Sequence, residues 1–267
     1  MTAAAVRRTM GRHHPLLKRV RRMVRSGELC DQGEVLLETP TLIDDALASA
    51  VLVTAALLRH GAGAEARALA KRLAKGAEIY ELSPSVFNHL TTTETSPGIL
   101  ALAQAPRWEE ADLFSGSAPL VLLLAGLQDP GNLGTILRTA EAFGCTGALA
   151  TRGTVSPWNA KAVRAAAGTL FRLPLLGQRT VPQVLALLRR EGVALLKAAA
   201  RGGRPLAEVK LDRPVAIALG SEGAGLPREF EEAGTRVSIS MAPQVESLNV
   251  AAAAAVLLYE IARQRGA

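Results

Sequence analysis

Aromatic side chains are scarce: they make up 3% of the 267 residues, while hydrophobic residues in all reach 49%. A core of that composition is packed by interdigitating Ala, Leu and Val, and the length suits one or two globular domains. Cysteine is nearly absent. Cys30 and Cys145 stand far apart, with no Cys-x-x-Cys spacing and no neighbouring His, which excludes a disulfide framework; no metal is expected. Long apolar runs are missing too. Uncharged stretches such as 46–58 and 247–259 fall short of the roughly 20 residues that cross a bilayer, and the first residues hold no apolar core of a signal peptide. The expected setting is the cytoplasm, with no membrane partner. Neither Gly-x-x-x-x-Gly-Lys-[Ser/Thr] nor Gly-x-Gly-x-x-Gly occurs, which disfavours a nucleotide hydrolase and a dehydrogenase.

Positive charge is what the chain has in excess. The net charge is +7, and Arg7, Arg8, Arg12, Lys18, Arg19, Arg21, Arg22 and Arg25 crowd the first 25 residues. That cluster fits a surface for a polyanion. It fits equally a solvated helix whose charges only maintain solubility, and both readings stay open.

Hydrophobic periodicity divides the chain into two α/β segments. The first, residues 1–105, reads as a helix over 13–26, a strand near 34–38, a helix near 41–48, a strand near 51–55, a helix near 64–75, a strand over 78–82, a helix opening at Ser83-Pro84 and a strand near 98–103. Residues 106–118 carry Pro, Ser and charge without an apolar period and read as a linker. In residues 119–267, strands near 120–127, 148–151, 193–198, 214–219 and 237–241 alternate with helical patterns, as parallel βαβ units do.

Three runs in the second segment gather residues suited to a site. In GLQDPGNLGTILRTAEAFG, residues 126–144, Leu133, Ile136, Leu137 and Ala140 follow helical spacing. Asn132 then falls near the helix start, at the carboxyl end of a strand, where open α/β sheets bind ligands; Arg138 is the lone cation of the polar side. The alternative makes Asn132 a helix cap and Arg138 a surface partner of Glu141. In PVAIALGSEGAGLP an apolar strand ends in Gly220, Gly223 and Gly225, which let the backbone approach a ligand closely, with Glu222 among them. In VSISMAPQVESLNVAAAAAVLLYEIA, alternation at Val237, Ile239 and Met241 gives way to a loop, and Ser247, Leu248 and Asn249 open an alanine-dense helix. Only its first turn suits a function; the alternative is a plain core helix capped by Ser247.

In this order, NLGTILRTAEAFG, ALGSEGAGLP and ISMAPQVESLNVAAA closely resemble the three motifs of the SpoU class of SPOUT RNA ribose 2′-O-methyltransferases. KAVRAAAGTLFRLP, residues 161–174, resembles a family segment that often reads RASAG, so the resemblance covers nearly the whole chain. Ala166 stands where a serine is frequent, and Glu38-Thr39 where Glu-Gly is usual. The resemblance implies an α/β fold with a C-terminal SPOUT domain over 119–267, built on a parallel sheet and a deep trefoil knot in which the C-terminal end threads a loop. It also implies a small N-terminal α/β substrate-binding domain over 1–105 that resembles a ribosomal protein. Knots are almost absent from proteins, so no periodicity suggests one.

The implied cofactor is S-adenosylmethionine, its adenosine held largely by backbone groups at Leu219, Gly220, Ile239, Met241, Leu248 and Asn249. The implied assembly is a homodimer whose active site is completed across the interface. Arg138 matches the family's essential arginine. A guanidinium is a poor proton acceptor, so gripping a phosphate and stabilising the forming alkoxide suits it better than acting as a base. Asn132 and Glu222 would position Arg138 and the ribose, while Ser247 and Asn249 would organise the substrate phosphate and the cofactor loop. Arg19, Arg21, Arg22, Arg25 and Arg164 are the expected RNA contacts. The expected partner is RNA, not DNA, with ribosomal RNA ahead of transfer RNA because members with such an N-terminal domain often modify large-subunit RNA. The alternatives are a transfer RNA methyltransferase and an RNA-binding protein that keeps the fold without catalysis.

Overall fold

The computed structural model describes residues 7–8, 14–73, 76–93, 95–230 and 232–266; Arg12 and the ends of two expected helices, at 13 and at 74–75, lie outside them. The chain divides into two compact units. Residues up to Pro106 together with Ser156–Phe171 make one, and Arg107–Val155 together with the residues from Arg172 onward make the other.

In the first unit, β1 (Arg7–Arg8), α1 (Pro15–Ser26), β2 (Glu34–Leu37), α2 (Pro40–Ala48), β3 (Val53–Arg59), α3 (Ala64–Leu73), β4 (Glu78–Leu82), α4 (Pro84–Phe87) and β5 (Ile99–Gln104) follow in order. Among the described residues the strands form one sheet of order β1-β4-β3-β5-β2, with β5 antiparallel to β2 and β3 and the other pairs parallel. In α1, Pro15 occupies the first turn, where a missing N–H costs nothing, and Gly27 ends the helix at φ +67°. Leu16, Leu17, Val20 and Met23 form its buried stripe and join Leu57, Phe87 and Leu100 in the core. The opposite face is left to cations. Thr39, the departure from the family's glycine, caps α2: its hydroxyl oxygen accepts from Leu42 N at 3.3 Å, and at φ −129° the position needs no glycine.

The second unit is built on β6 (Leu120–Ala125), α5 (Pro130–Ala142), β7 (Gly147–Thr151), β8 (Leu175–Arg179), α7 (Val181–Arg190), β9 (Ala194–Ala199), β10 (Arg204–Pro205), β11 (Val215–Gly220), β12 (Thr235–Ser238) and α8 (Val250–Arg265); α6 (Ala160–Ala166) belongs to the first unit. Its sheet runs β10-β12-β9-β11-β6-β7-β8, and every pairing among the described residues is parallel. All six residues of β6 are buried, as expected of a central parallel strand covered on both faces.

Three features depart from the sequence reading. The stretch read as a linker, 106–118, contains a short 3-10 helix, Glu110–Phe114, closed by a capping box between Glu109 and Asp112, and its Leu113 is fully buried in the core of the second unit. β12 leaves the ladder at Ser238, three residues before the expected end of the strand at 241. β8 was not expected at all; none of its residues is fully buried and LLGQR shows no alternation. Among the described residues, no helix is long and apolar enough to cross a membrane.

Cys145 follows α5 and is buried. Burial pushes its thiol up to about 12, partly offset by Arg265. Cys145 should therefore resist iodoacetamide at pH 8 in the native protein and react once it is unfolded, as mass spectrometry of the labelled peptide will show. Native labelling at the rate of an exposed thiol would contradict this.

Candidate active site

β11 lies between β6 and β9 at the centre of the sheet, and its apolar residues carry the chain to Gly220 at the carboxyl end. There the backbone doubles back. A Cβ on Gly220 would sit 2.2 Å from the carbonyl carbon of Gly225, so only hydrogen fits. Ser221 and Gly225 exchange two backbone hydrogen bonds, at 3.1 and 2.9 Å, and Gly225 takes φ +69° to close the turn. Glu222 is held at the exposed tip of this loop.

A cavity of about 490 Å³ opens beside the loop. Leu219, Gly220, Ile239, Met241, Leu248 and Asn249, the six expected cofactor residues, all line it, as do Glu222 and Ser247. Ala198, Ala199 and Ala200, which the sequence reading missed, complete one wall. Their position at the carboxyl end of β9, next to β11, was the signal available, since ligands of parallel sheets bind there. Among the described residues lining it, Glu222 is the one charged group. A smaller recess of about 320 Å³ adjoins it and shares Ser221, Glu222 and Val250; Gln128, Asp129 and Asn132 line its far part.

Three side chains from three chain segments meet between these spaces. Glu222 Oε1 accepts from Asn132 Nδ2 at 2.7 Å and from Asn249 Nδ2 at 2.9 Å, and Asn249 Nδ2 also lies 3.4 Å from Asn132 Oδ1. Asn249 cannot turn away, because its Oδ1 accepts from Ala251 N at 2.9 Å and Ala252 N at 3.3 Å as the cap of α8. That corrects the alternative in which Ser247 caps the helix. Asn132 is likewise not the cap of α5: Asp129 Oδ1 accepts the Asn132 N–H at 2.7 Å, and Pro130 starts the helix. The carboxamide of Asn132 is thereby free for Glu222.

Arg138 is exposed and makes no hydrogen bond or ion pair among the described residues. Its suggested partner Glu141 binds Arg172 instead, through a two-pronged fork at 2.5 and 2.9 Å. Arg138 does not line the cavity of its own chain.

The expected RNA contacts divide into two groups. Lys18, Arg21, Arg22 and Arg25 line a shallow groove along α1, and Arg22 and Arg25 are exposed, Arg22 lying 2.9 Å from the equally exposed Asp31. Arg19 is half-buried 3.3 Å from the buried Glu34. Arg164 already has partners within the first unit. It donates to Thr92 Oγ1 at 2.7 Å and to Glu38 Oε2 at 3.3 Å, and Glu38, 1% exposed, also accepts from Thr92 N at 3.1 Å. A buried carboxylate needs such partners, so this arginine is committed within the first unit.

The SpoU rRNA Methylase family matches residues 119–259. An uncharacterised tRNA/rRNA methyltransferase of Synechocystis is 36% identical over 95% of this chain and 93% of its own. The 23S rRNA (guanosine(2553)-2'-O)-methyltransferase RlmP of Bacillus subtilis is 35% identical over 85% of this chain and 87% of its own. The structure of an AdoMet-bound rRNA methyltransferase from Sinorhizobium meliloti aligns with a TM-score of 0.83 at 26% identity, covering 97% of this chain and 98% of that one. With two of its three motifs lining one cavity and the first joined to them through Asn132, the chain belongs to the SpoU rRNA methylase family.

Proposed function

We infer that this chain is an S-adenosylmethionine-dependent RNA ribose 2′-O-methyltransferase acting on ribosomal RNA. The observation that carries the reading is the convergence of Asn132, Glu222 and Asn249 at the rim of one cavity of cofactor size. The name of RlmP, a 23S rRNA 2'-O-methyltransferase, supports the ribosomal substrate. The cavity suits its ligand on its own chemistry. Leu219, Ile239, Met241 and Leu248 offer an apolar slot for a flat base, the tight Gly220 turn exposes backbone groups, and a single carboxylate faces a cationic ligand without a competing arginine or lysine among the lining residues. S-adenosylmethionine, when bound, supplies an electrophilic methyl group on a sulfonium.

The attacking group is a ribose 2′-hydroxyl, which DNA lacks. Asn132 and Asn249 fix Glu222, and these three orient the ribose at the cavity mouth; Ser247 and Asn249 hold the substrate phosphate and the cofactor loop. Arg138 grips the adjacent phosphate and stabilises negative charge growing on the 2′-oxygen. In a homodimer the Arg138 of one protomer serves the cavity of its partner, consistent with an arginine that is exposed, unpaired among the described residues and absent from its own cavity wall. Val256 and Tyr259, 46% and 56% exposed on α8, give such a dimer an apolar contact face, and Phe143 lies edge-on to Tyr259 at 5.9 Å beside it. The 239–249 loop and α8 form the threaded part of a trefoil knot. The unit containing α1 binds RNA as a ribosomal-protein-like domain, and the protein works in the cytoplasm.

Mapping ribose methylation across total RNA of a strain lacking this protein tests the reading: one ribosomal nucleotide should lose its 2′-O-methyl group, and an unchanged map would contradict it. The groove along α1 makes a separate prediction. Changing Lys18, Arg22 and Arg25 to Gln should flatten the plot of log affinity for RNA against log salt by up to about 0.9 per lost contact on a duplex, or about 0.7 on a single strand. A cluster that serves only solubility leaves the slope unchanged in the same filter-binding titration.

A further inference from the structure

The loop over 239–249 joins β12 to α8 and supplies Ile239, Met241, Ser247, Leu248 and Asn249 to the cavity, yet it contains no helix or strand and is mostly exposed. A wall of that kind needs an outside tie to keep its shape. Arg201 provides one. A single guanidinium nitrogen, Nη2, donates to the carbonyl oxygen of Pro243 at 2.7 Å and to that of Val245 at 2.9 Å. Arg201 directly follows Ala198, Ala199 and Ala200, which line the same cavity, so the two bonds join two of its walls. The anchor itself is tight. Ser238 Oγ donates to Gly203 O at 2.9 Å, and a Cβ on Gly203 would sit 2.6 Å from the carbonyl carbon of Val237.

We propose that Arg201 is a positioning residue for the methyl donor, clasping the 239–249 loop in the shape that receives the adenosine. Its hydrogen bonds among the described residues go to the backbone of Pro243 and Val245, so it acts through the loop. The proposal rests on the S-adenosylmethionine reading of the cavity. Calorimetric titration of the wild-type protein with S-adenosylmethionine tests that reading by itself, and the comparison with the variants tests Arg201.

Arg201→Ala should bind S-adenosylmethionine about tenfold more weakly, the loss of one or two charge-assisted hydrogen bonds. Its KM for the donor should rise in step while kcat at saturating donor stays within about twofold, the pattern of lost uniform binding. In the ligand-free protein, amides of 239–249 should exchange faster with solvent deuterium than in wild type. Arg201→Lys, whose ammonium can donate to both carbonyls, should recover most of the affinity. A lowered unfolding midpoint with unchanged affinity and unchanged loop exchange would overturn the proposal. If Arg201→Ala does not fold, Arg201→Gln replaces it, with the same two outcomes deciding.

Discussion

Replacing Arg138 with alanine is expected to abolish methyl transfer while leaving the fold and the affinity for S-adenosylmethionine at wild-type levels. The side chain is exposed, holds no partner among the described residues and lines no part of its own chain's cavity, so its removal leaves neither a hole nor an orphaned charge. What is lost is stabilisation of the transition state, for which removal of one well-placed donor typically costs about 10²- to 10³-fold. Arg138→Lys should not restore turnover, because a point charge cannot reproduce a planar fork on phosphate. A mixing experiment locates the residue further. If Arg138 works across a dimer, an inactive Arg138→Ala protein and an inactive Glu222→Ala protein should regain activity once their subunits exchange, since each mixed dimer then contains one intact site. Turnover by the alanine variant alone at the wild-type rate would remove Arg138 from the mechanism.

The second large effect is expected at Gly220. Adding one methyl group there brings it to 2.2 Å from the Gly225 carbonyl carbon, a backbone atom that cannot swing aside as a side chain does. The Ser221–Gly225 bridge must open, and the cavity wall moves with it. Gly220→Ala should therefore weaken S-adenosylmethionine binding by more than about tenfold, equivalent to about 1.4 kcal/mol, and lower stability by about 1–3 kcal/mol, as overpacking does. Gly223→Ala is the control from the same loop: no atom lies within 4 Å of its added Cβ. Calorimetry should find that control binding like wild type; equal affinities for all three proteins would mean that the turn does not shape the site.

Much of this arrangement is legible before folding, for reasons that vary by element. β6 and β11 announce themselves because a strand covered on both faces must be apolar throughout. The six cofactor residues were identified through the family motifs, since neither glycine nor an apolar side chain marks a ligand site by its own chemistry. Alternation at Val237, Ile239 and Met241 reads as continuing strand, yet the ladder ends at Ser238 and the last two residues turn to line the cavity. Asp129 caps α5 with Pro130 in the first turn, a pair that by sequence alone reads equally well as a turn. The grouping of Ser156–Phe171 with the first unit and the burial of Leu113 have no local signal, because both depend on partners far away in sequence. Arg164 shows the same limit: a cation near a motif is readable, but the buried Glu38 that claims it is not.

The central claim is the chemistry of the product. Purified protein should be incubated with ribosomal RNA and S-adenosylmethionine labelled in the methyl group, and the RNA digested to nucleosides and resolved by mass spectrometry. The label is expected in a 2′-O-methylnucleoside, with the added mass on the ribose. Label on a base, or a protein that binds the donor and the RNA yet transfers nothing, would contradict ribose methylation.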